Sequence, residues 1–418
     1  MLWRDEANRN WLAVRLMECH SIHSLFHTLD LSFHNSEEWG THRTYCNSKV
    51  PSDHIKLCLE DREASVTWRQ RKLLELLNDH LDLGRRGRVL RWTLANTDDR
   101  YSDRDDIRNS RDGFNHGTYD LWGAFTCFTR ITTIDLAFMT ARGEFDPPPP
   151  SLFSTATSVS LSGIASITVI STILNSIDPS KLRHLRFNNL QTFQDPPQNL
   201  GILSDSEIAS HRRHRHGVAQ GFLADLTGRC TVLRSFHLLT TAELVEGSTI
   251  WFMRRSRSWL DDVADDNRWY AEIGAFIDSV KPTLRELLFE HGPDIDYAPY
   301  RQCHPVFAGP SHDARLPMDI YFDSHILPVL VSRPWPSLRR MTVKGMGHWK
   351  PIDPWKEDAT PDEIRWLHKK TREFRDKVVM LWDAVGEGCE VVVEDEASRP
   401  FYRFQSDRTV SGRAHNDD

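Results

Sequence analysis

The sequence contains few of the residue patterns on which common enzyme chemistry is built. Its seven cysteines (Cys19, Cys46, Cys58, Cys127, Cys230, Cys303 and Cys389) are odd in number, scattered over 418 residues and never spaced C-x-x-C. This argues against a disulfide framework and fits reduced thiols in the cytoplasm or nucleus. Walker A, G-x-G-x-x-G and G-x-S-x-G motifs are also missing, so the usual phosphate cradles and the serine nucleophile elbow have no candidate. Charge of one sign is lacking too: 52 basic residues face 59 acidic ones, for a net −7 without a strongly one-signed half. A nucleic-acid partner is therefore not expected, because phosphate binding needs a concentrated basic surface.

Long apolar runs are nearly absent. The start, MLWRDEANRN, places Arg4, Asp5 and Glu6 where a signal peptide needs an apolar core. Residues 151–177 carry no charge and are long enough to cross a bilayer. Twelve of these 27 residues are Ser or Thr, however, and Pro147 to Pro150 come directly before them. The better reading is a buried, hydroxyl-rich helix within 160–176, so no membrane partner is expected.

What the chain does have is enough apolar surface for a large core, with 39% hydrophobic and 10% aromatic residues, 14 of them Trp. It also has an internal repeat. Five runs share the form Φ-x-x-Φ-x-Φ, with Φ apolar: Ile131-Thr-Thr-Ile134-Asp-Leu136, Leu182-Arg-His-Leu185-Arg-Phe187, Leu233-Arg-Ser-Phe236-His-Leu238, Leu284-Arg-Glu-Leu287-Leu-Phe289 and Leu338-Arg-Arg-Met341-Thr-Val343. Their first residues lie 51, 51, 51 and 54 apart. Single runs of this kind are weak strand signals, but the near-constant spacing makes them repeats. Phe26-His-Thr-Leu29-Asp-Leu31 and Val89-Leu-Arg-Trp92-Thr-Leu94 are two further members at irregular spacing.

Segments between the runs have helical periodicity: 66–81, 160–176, 206–229, 268–280, 322–331 and 360–386. In the last, Ile364, Leu367, Thr371, Phe374, Val378, Leu381 and Val385 form one stripe. Thr360 is placed to cap its start, Glu363 to complete a capping box and Gly386 to close its end. Strand, helix and strand in regular succession imply parallel strands joined by crossovers. The expected fold is an α/β, leucine-rich-repeat-like solenoid with repeats of about 51 residues. Residues 1–126 form its irregular N-terminal part, 127–394 its regular repeats, and 395–418 a polar, disordered tail.

Three of the runs carry a Ser, Thr or Pro mark before Leu-Arg: Pro179-Ser-Lys-Leu-Arg183, Lys281-Pro-Thr-Leu-Arg285 and Trp335-Pro-Ser-Leu-Arg339. With Ser24-Leu-Phe-His-Thr-Leu-Asp-Leu-Ser-Phe33, they resemble the leucine-rich-repeat-like region of fungal F-box proteins. The resemblance implies a substrate-binding solenoid in a ubiquitin ligase adaptor, where the F-box docks a Skp-type linker. Only about 23 residues stand before Ser24, too few for an F-box, so Skp-type binding is not expected while substrate binding is.

Two histidine clusters offer the alternative of a metal-dependent enzyme or metal-binding protein. His211, His214 and His216 alternate with arginines that would repel a cation and have no thiolate or carboxylate beside them. Cys19, His23 and His27 would share a helix face, with His20 beside them, but that segment runs straight into a strand-like run. Acidic pairs such as Asp105-Asp106, Asp261-Asp262 and Asp265-Asp266 read as solvated charge. No cofactor, metal or catalytic residue is expected. Function is expected on the strand positions that alternate away from the core. Thr133, His184, Ser235, Glu286 and Arg340 then form one row and Asp135, Arg186, His237, Leu288 and Thr342 the next. Asp135, His184, Arg186, His237, Glu286 and Arg340 are the candidate protein-binding residues, on the concave surface of a solenoid. The alternative to a binding role is that Asp135 with Arg186, and Glu286 with Arg340, are only cross-strand ion pairs worth under about 1 kcal/mol each. The expected activity is that of a non-catalytic interaction scaffold with an unknown protein partner.

Overall fold

The computed structural model describes residues 27–32, 69–70, 72–77, 80–95, 121–139, 149, 151–165, 167–193, 216–218, 221–242, 258–293, 318–332, 334–345, 361–386 and 388–394. The elements in chain order begin with β1 (Thr28–Leu31), α1 (Leu81–Gly84), β2 (Val89–Ala95), α2 (Leu121–Phe125), β3 (Thr133–Met139) and β4 (Ser158–Ala165). There follow α3 (Ile167–Asn175), β5 (His184–Phe193), β6 (His216–Val218), β7 (Ser235–Ala242), α4 (Ser258–Val280) and β8 (Glu286–Pro293). The last are α5 (Leu327–Val331), β9 (Arg340–Lys344), α6 (Pro361–Ala384) and β10 (Glu390–Glu394). A π-helix, Met318–Ile326, leads directly into α5. The expected α/β class with parallel strands is present, and the chain forms two compact units.

In the first unit β1, β2 and β3 pair in parallel, with Leu29 opposite Leu90 and Leu90 opposite Ile134. Trp92 stands opposite Leu136, so the apolar run of β2 is framed on Leu90, Trp92 and Leu94, and not on Val89. This corrects the sequence reading by two residues. The first apolar place of that repeat falls to Gly87, where a Cβ would stand 3.3 Å from the side chains of Ile131 and Phe128. A neighbouring isoleucine fills the volume that a leucine supplies elsewhere. Gln70, buried, donates from Nε2 to the carbonyls of Leu31 (2.7 Å) and Thr93 (2.9 Å) and so ties β1 to β2. The helix read over 66–81 is helical at 69–70 and 72–77, with α1 as a separate turn after it.

The segment 160–176, where a hydroxyl-rich helix was expected, opens as the end of strand β4 and is helical only from Ile167 to Asn175. The amides of Thr157 and Ser158 donate to the carbonyl of Thr132 (2.8 and 3.0 Å), as those of Thr132 and Thr133 do to Arg88. Ala156-Thr-Ser-Val159-Ser-Leu161 is a sixth Φ-x-x-Φ-x-Φ run, and all three of its apolar residues are fully buried. Serines alternating with apolar residues hold a period of two, and this outweighs the helical propensity of the rest. Helix begins only at Ile167.

In the second unit the strand order is β4-β5-β7-β8-β9-β10, with β6 pairing antiparallel on β5. The parallel registers align Leu185, Phe236, Leu287, Met341 and Val391 in one layer and Phe187, Leu238, Phe289, Val343 and Val393 in the next. All but the two valines of β10 are fully buried. One carbonyl per strand receives two amides from the following strand: Arg183 from Arg234 and Ser235, Arg234 from Arg285 and Glu286, and Arg285 from Arg339 and Arg340 (2.7–3.1 Å). Aromatic rings then join strands to the turns and helices that cover them. Phe187 meets Phe222 edge-on at 5.0 Å, Phe236 meets Phe276 at 5.0 Å, and Phe289 lies 5.8 Å from Phe322.

α4 starts ten residues earlier than its periodicity suggested, and the 322–331 helix divides into the π-helix and α5. Residues 221–230 form turns where the 206–229 helix was expected. Glu272 of α4 holds these turns, accepting the amides of Gly221 (2.7 Å), Leu223 (2.7 Å) and Ala224 (3.0 Å). Burial nevertheless raises its carboxyl above the usual range, with those three bonds opposing. α6 covers the expected span, and among the stripe residues whose side chains are described Leu381 is fully buried while Phe374, Val378 and Val385 are half-buried. The positive φ after it is at Gly388 (93°), not at Gly386. Thr360 and residues 395–418 lie outside the described residues. No described helix is long and apolar enough to cross a membrane.

The Ser, Thr and Pro marks acquire physical roles here. Asp178 accepts from the backbone and hydroxyl of Ser180, capping a short 3-10 turn into β5. The Ser180 hydroxyl and the neighbouring Lys181 hold the Asp178 carboxyl down at about 2. Ser337 donates to the carbonyl of Pro282 (3.0 Å), one repeat back. Lys281 reaches Ser332 and Asp278 and lies over the Trp335 ring.

Candidate functional site

Side chains that alternate away from the buried layers of the second unit line up on the registers. His184 stands opposite Ser235, Ser235 opposite Glu286, Glu286 opposite Arg340, and Arg340 opposite Glu390. In the next row Arg186, His237, Leu288, Thr342 and Val392 follow one another. Five of the six expected site residues therefore share one face. His184, Arg186 and Arg340 are exposed, His237 and Glu286 are half-buried, and Ser235 and Thr342 are buried between larger neighbours.

Asp135 belongs elsewhere. It lies in the first unit, opposite Arg91, which pairs with Asp30 at 3.1 Å. It is also buried, with 8% exposure, so the expected Asp135–Arg186 pair is replaced by a separate row of Asp30, Arg91 and Asp135. The sequence misled because β4 was read as helix.

The expected Glu286–Arg340 pair is likewise exchanged. Arg340 turns its guanidinium to Glu390 of β10, with contacts of 3.1 and 3.2 Å to the two carboxylate oxygens. This is the forked geometry that suits arginine and carboxylate. Glu286 instead faces His237 (3.4 Å) and Ser235 Oγ (3.3 Å), and Ser235 Oγ lies 3.1 Å from His237 Nε2. Glu390 was the functional neighbour missed in the sequence, while Ser235 stands in the outward row where it was expected. The β-branched run Val391-Val392-Val393 was the available signal for β10.

Ser235, His237 and Glu286 are the residue types of a hydrolytic triad, but their arrangement differs. In a triad the acid holds Nδ1 and leaves Nε2 to take the serine proton. Here the carboxylate and the hydroxyl both approach Nε2, and the serine also approaches the carboxylate. The cluster suits fixed polar recognition and not nucleophile activation. Burial pushes Cys127 and Cys230 up to about 11, so both are protonated thiols at neutral pH.

Burial also lowers the pKa of His237, opposed by Glu286 and aided by Arg186. His184 shifts the same way, again through burial first, with Glu286 opposing and Arg234 and Arg183 assisting. Both imidazoles are neutral near pH 7, and each presents one donor and one acceptor.

Among the described residues, no three His, Cys, Asp or Glu side chains converge as a metal site. Cys19, His20, His23, His211 and His214 lie outside the described residues. His27 precedes β1, and His216 opens β6. No family model, curated protein or solved structure matches the chain, so its functional reading rests on the geometry of this face.

Proposed function

We propose that the chain is a non-catalytic protein-binding scaffold, a leucine-rich-repeat-like α/β solenoid that recognises its partner with the outward face of β5 and β7 to β10. The supporting observation is the register. Four neighbouring parallel strands bury matching apolar layers while placing His184, Arg186, His237, Glu286 and Arg340 side by side on the other face. A repeat near 51 residues, halved to 25 and 26 around Ala156, is the period of this solenoid. The likeness to fungal F-box proteins supports a finer reading, the substrate-recognition part of an F-box-like ubiquitin ligase adaptor in the cytoplasm or nucleus. On that reading the face binds the target protein and not the Skp-type linker.

A combined His184→Ala, Arg186→Ala, His237→Ala and Arg340→Ala variant tests the proposal. Its circular dichroism should match the parent, because the residues lie off the apolar layers. Affinity purification followed by mass spectrometry should show that it loses the partner captured by the parent. An unchanged partner set would overturn the assignment of this face.

A further inference from the structure

We propose that Arg183, Arg234, Arg285 and Arg339 form a docking edge for an acidic helical segment of a partner protein. The inference rests on the reading of the chain as a protein-binding scaffold and adds the chemistry of what it binds. These arginines follow the first apolar residue of four successive runs. Their carbonyls form the column that receives the next strand's amides, which places one arginine at the same level of β5, β7, β8 and β9.

All four are exposed, and among the described residues none is paired with a carboxylate. Several other cations of this unit are paired: Arg340 with Glu390, Lys344 with Glu394, Lys281 with Asp278 and Lys377 with Asp323. Like charges directly opposite one another on neighbouring strands are destabilising, so the column works against the fold until an anion covers it. The nearby acids do not do so. Glu390 is taken by Arg340, and Glu286 sits between Ser235 and His237.

Spacing and chemistry narrow the anion. Neighbouring strands place the arginines about 4.8 Å apart, close to the roughly 5–6 Å between side chains three or four residues apart on a helix. The guanidinium fork matches carboxylates in pairs. A nucleic acid fits less well, because proteins that hold single strands add stacking aromatics to their basic groups. Neither outward row offers a Phe, Tyr or Trp of the kind on which unpaired bases stack.

The test uses the full chain and a fluorescent synthetic helix carrying Glu at i, i+3 and i+7, read by anisotropy. The same helix with Gln for Glu, and a single-stranded oligonucleotide of equal charge, are the controls. Binding of the acidic helix should weaken with salt, and by about tenfold or more in Arg183→Gln, Arg234→Gln, Arg285→Gln, Arg339→Gln, as expected when charge-assisted bonds are removed. The double variant Arg234→Gln, Arg285→Gln serves if the quadruple variant unfolds, and should lose about threefold or more. A loss below about twofold in the folded variant, or tighter binding of the oligonucleotide, overturns the proposal. If the arginine variant keeps the captured partner while the His184, Arg186, His237 and Arg340 variant loses it, the docking edge fails and the face reading stands.

Discussion

His184 and His237 occupy neighbouring strands beneath a cluster of arginines, and burial keeps both neutral. The groups facing them are Glu286, which favours their charged forms, and Arg183, Arg186 and Arg234, which oppose them. A histidine whose folded pKa is depressed binds its proton more readily when unfolded. Its contribution to stability is therefore complete above the ordinary value of 6.5 and is lost as pH falls through the folded value. Urea unfolding at pH values from about 7 down to about 5 should show a falling midpoint, and the His184→Gln, His237→Gln variant should flatten that fall. An equally steep fall in the variant would place the acid sensitivity elsewhere. These two residues were legible in the sequence as outward positions. Their coupling to Glu286 was not, because it depends on which way side chains reach across between neighbouring strands, and register alone does not fix that.

At the level of elements, the sequence was most informative where several local signals agreed. The five runs at near-constant spacing became β3, β5, β7, β8 and β9, and the three Φ residues of each run are buried. β4 escaped because its serines dilute the apolar signal, while the turns at 221–230 bury Phe222, Leu223 and Leu226 without a helix. α6 illustrates a third kind of gap. Its stripe and span were readable, but how deeply each residue sinks depends on α5 and the π-helix packed beside it. Lys377 reaches Asp323 of the π-helix at 2.9 Å, next to the fully buried Leu381. Leu381→Ala should therefore cost about 2–5 kcal/mol through lost burial and a cavity. Phe374→Ala, at a half-buried site, should cost clearly less. Chemical denaturation of the two variants checks the order, and a larger loss for Phe374→Ala would contradict the packing.

For the molecule as a whole, the α/β class and the parallel strands were legible, whereas the partners of the site residues were not. Asp135 shows why. Spacing alone could not reveal that β4 lies in the sequence between it and Arg186, and one unrecognised strand was enough to reassign its ion pair. The far edge carries another consequence. β10 covers β9 with Arg340–Glu390 and Lys344–Glu394 pairs, and a charged outer edge discourages pairing with other chains. A chain ending at Gly386 would leave β9 as a bare edge. It should self-associate in a concentration-dependent way by size-exclusion chromatography with light scattering, and a monomer at all concentrations would refute that role for β10.

In the second unit the principal strands stand side by side in the order in which they are encoded, β5, β7, β8, β9 and β10. Each new strand adds to one already laid down, through the carbonyl of the arginine that opened it. On the ribosome, β7 finds its template waiting as soon as it emerges, and so in turn do β8, β9 and β10. Each open edge waits only for the next strand in the sequence, which shortens the time that sticky edges are open to other nascent chains. The strand order is thus also a timetable, in which translation from the N-terminus matches assembly of the sheet.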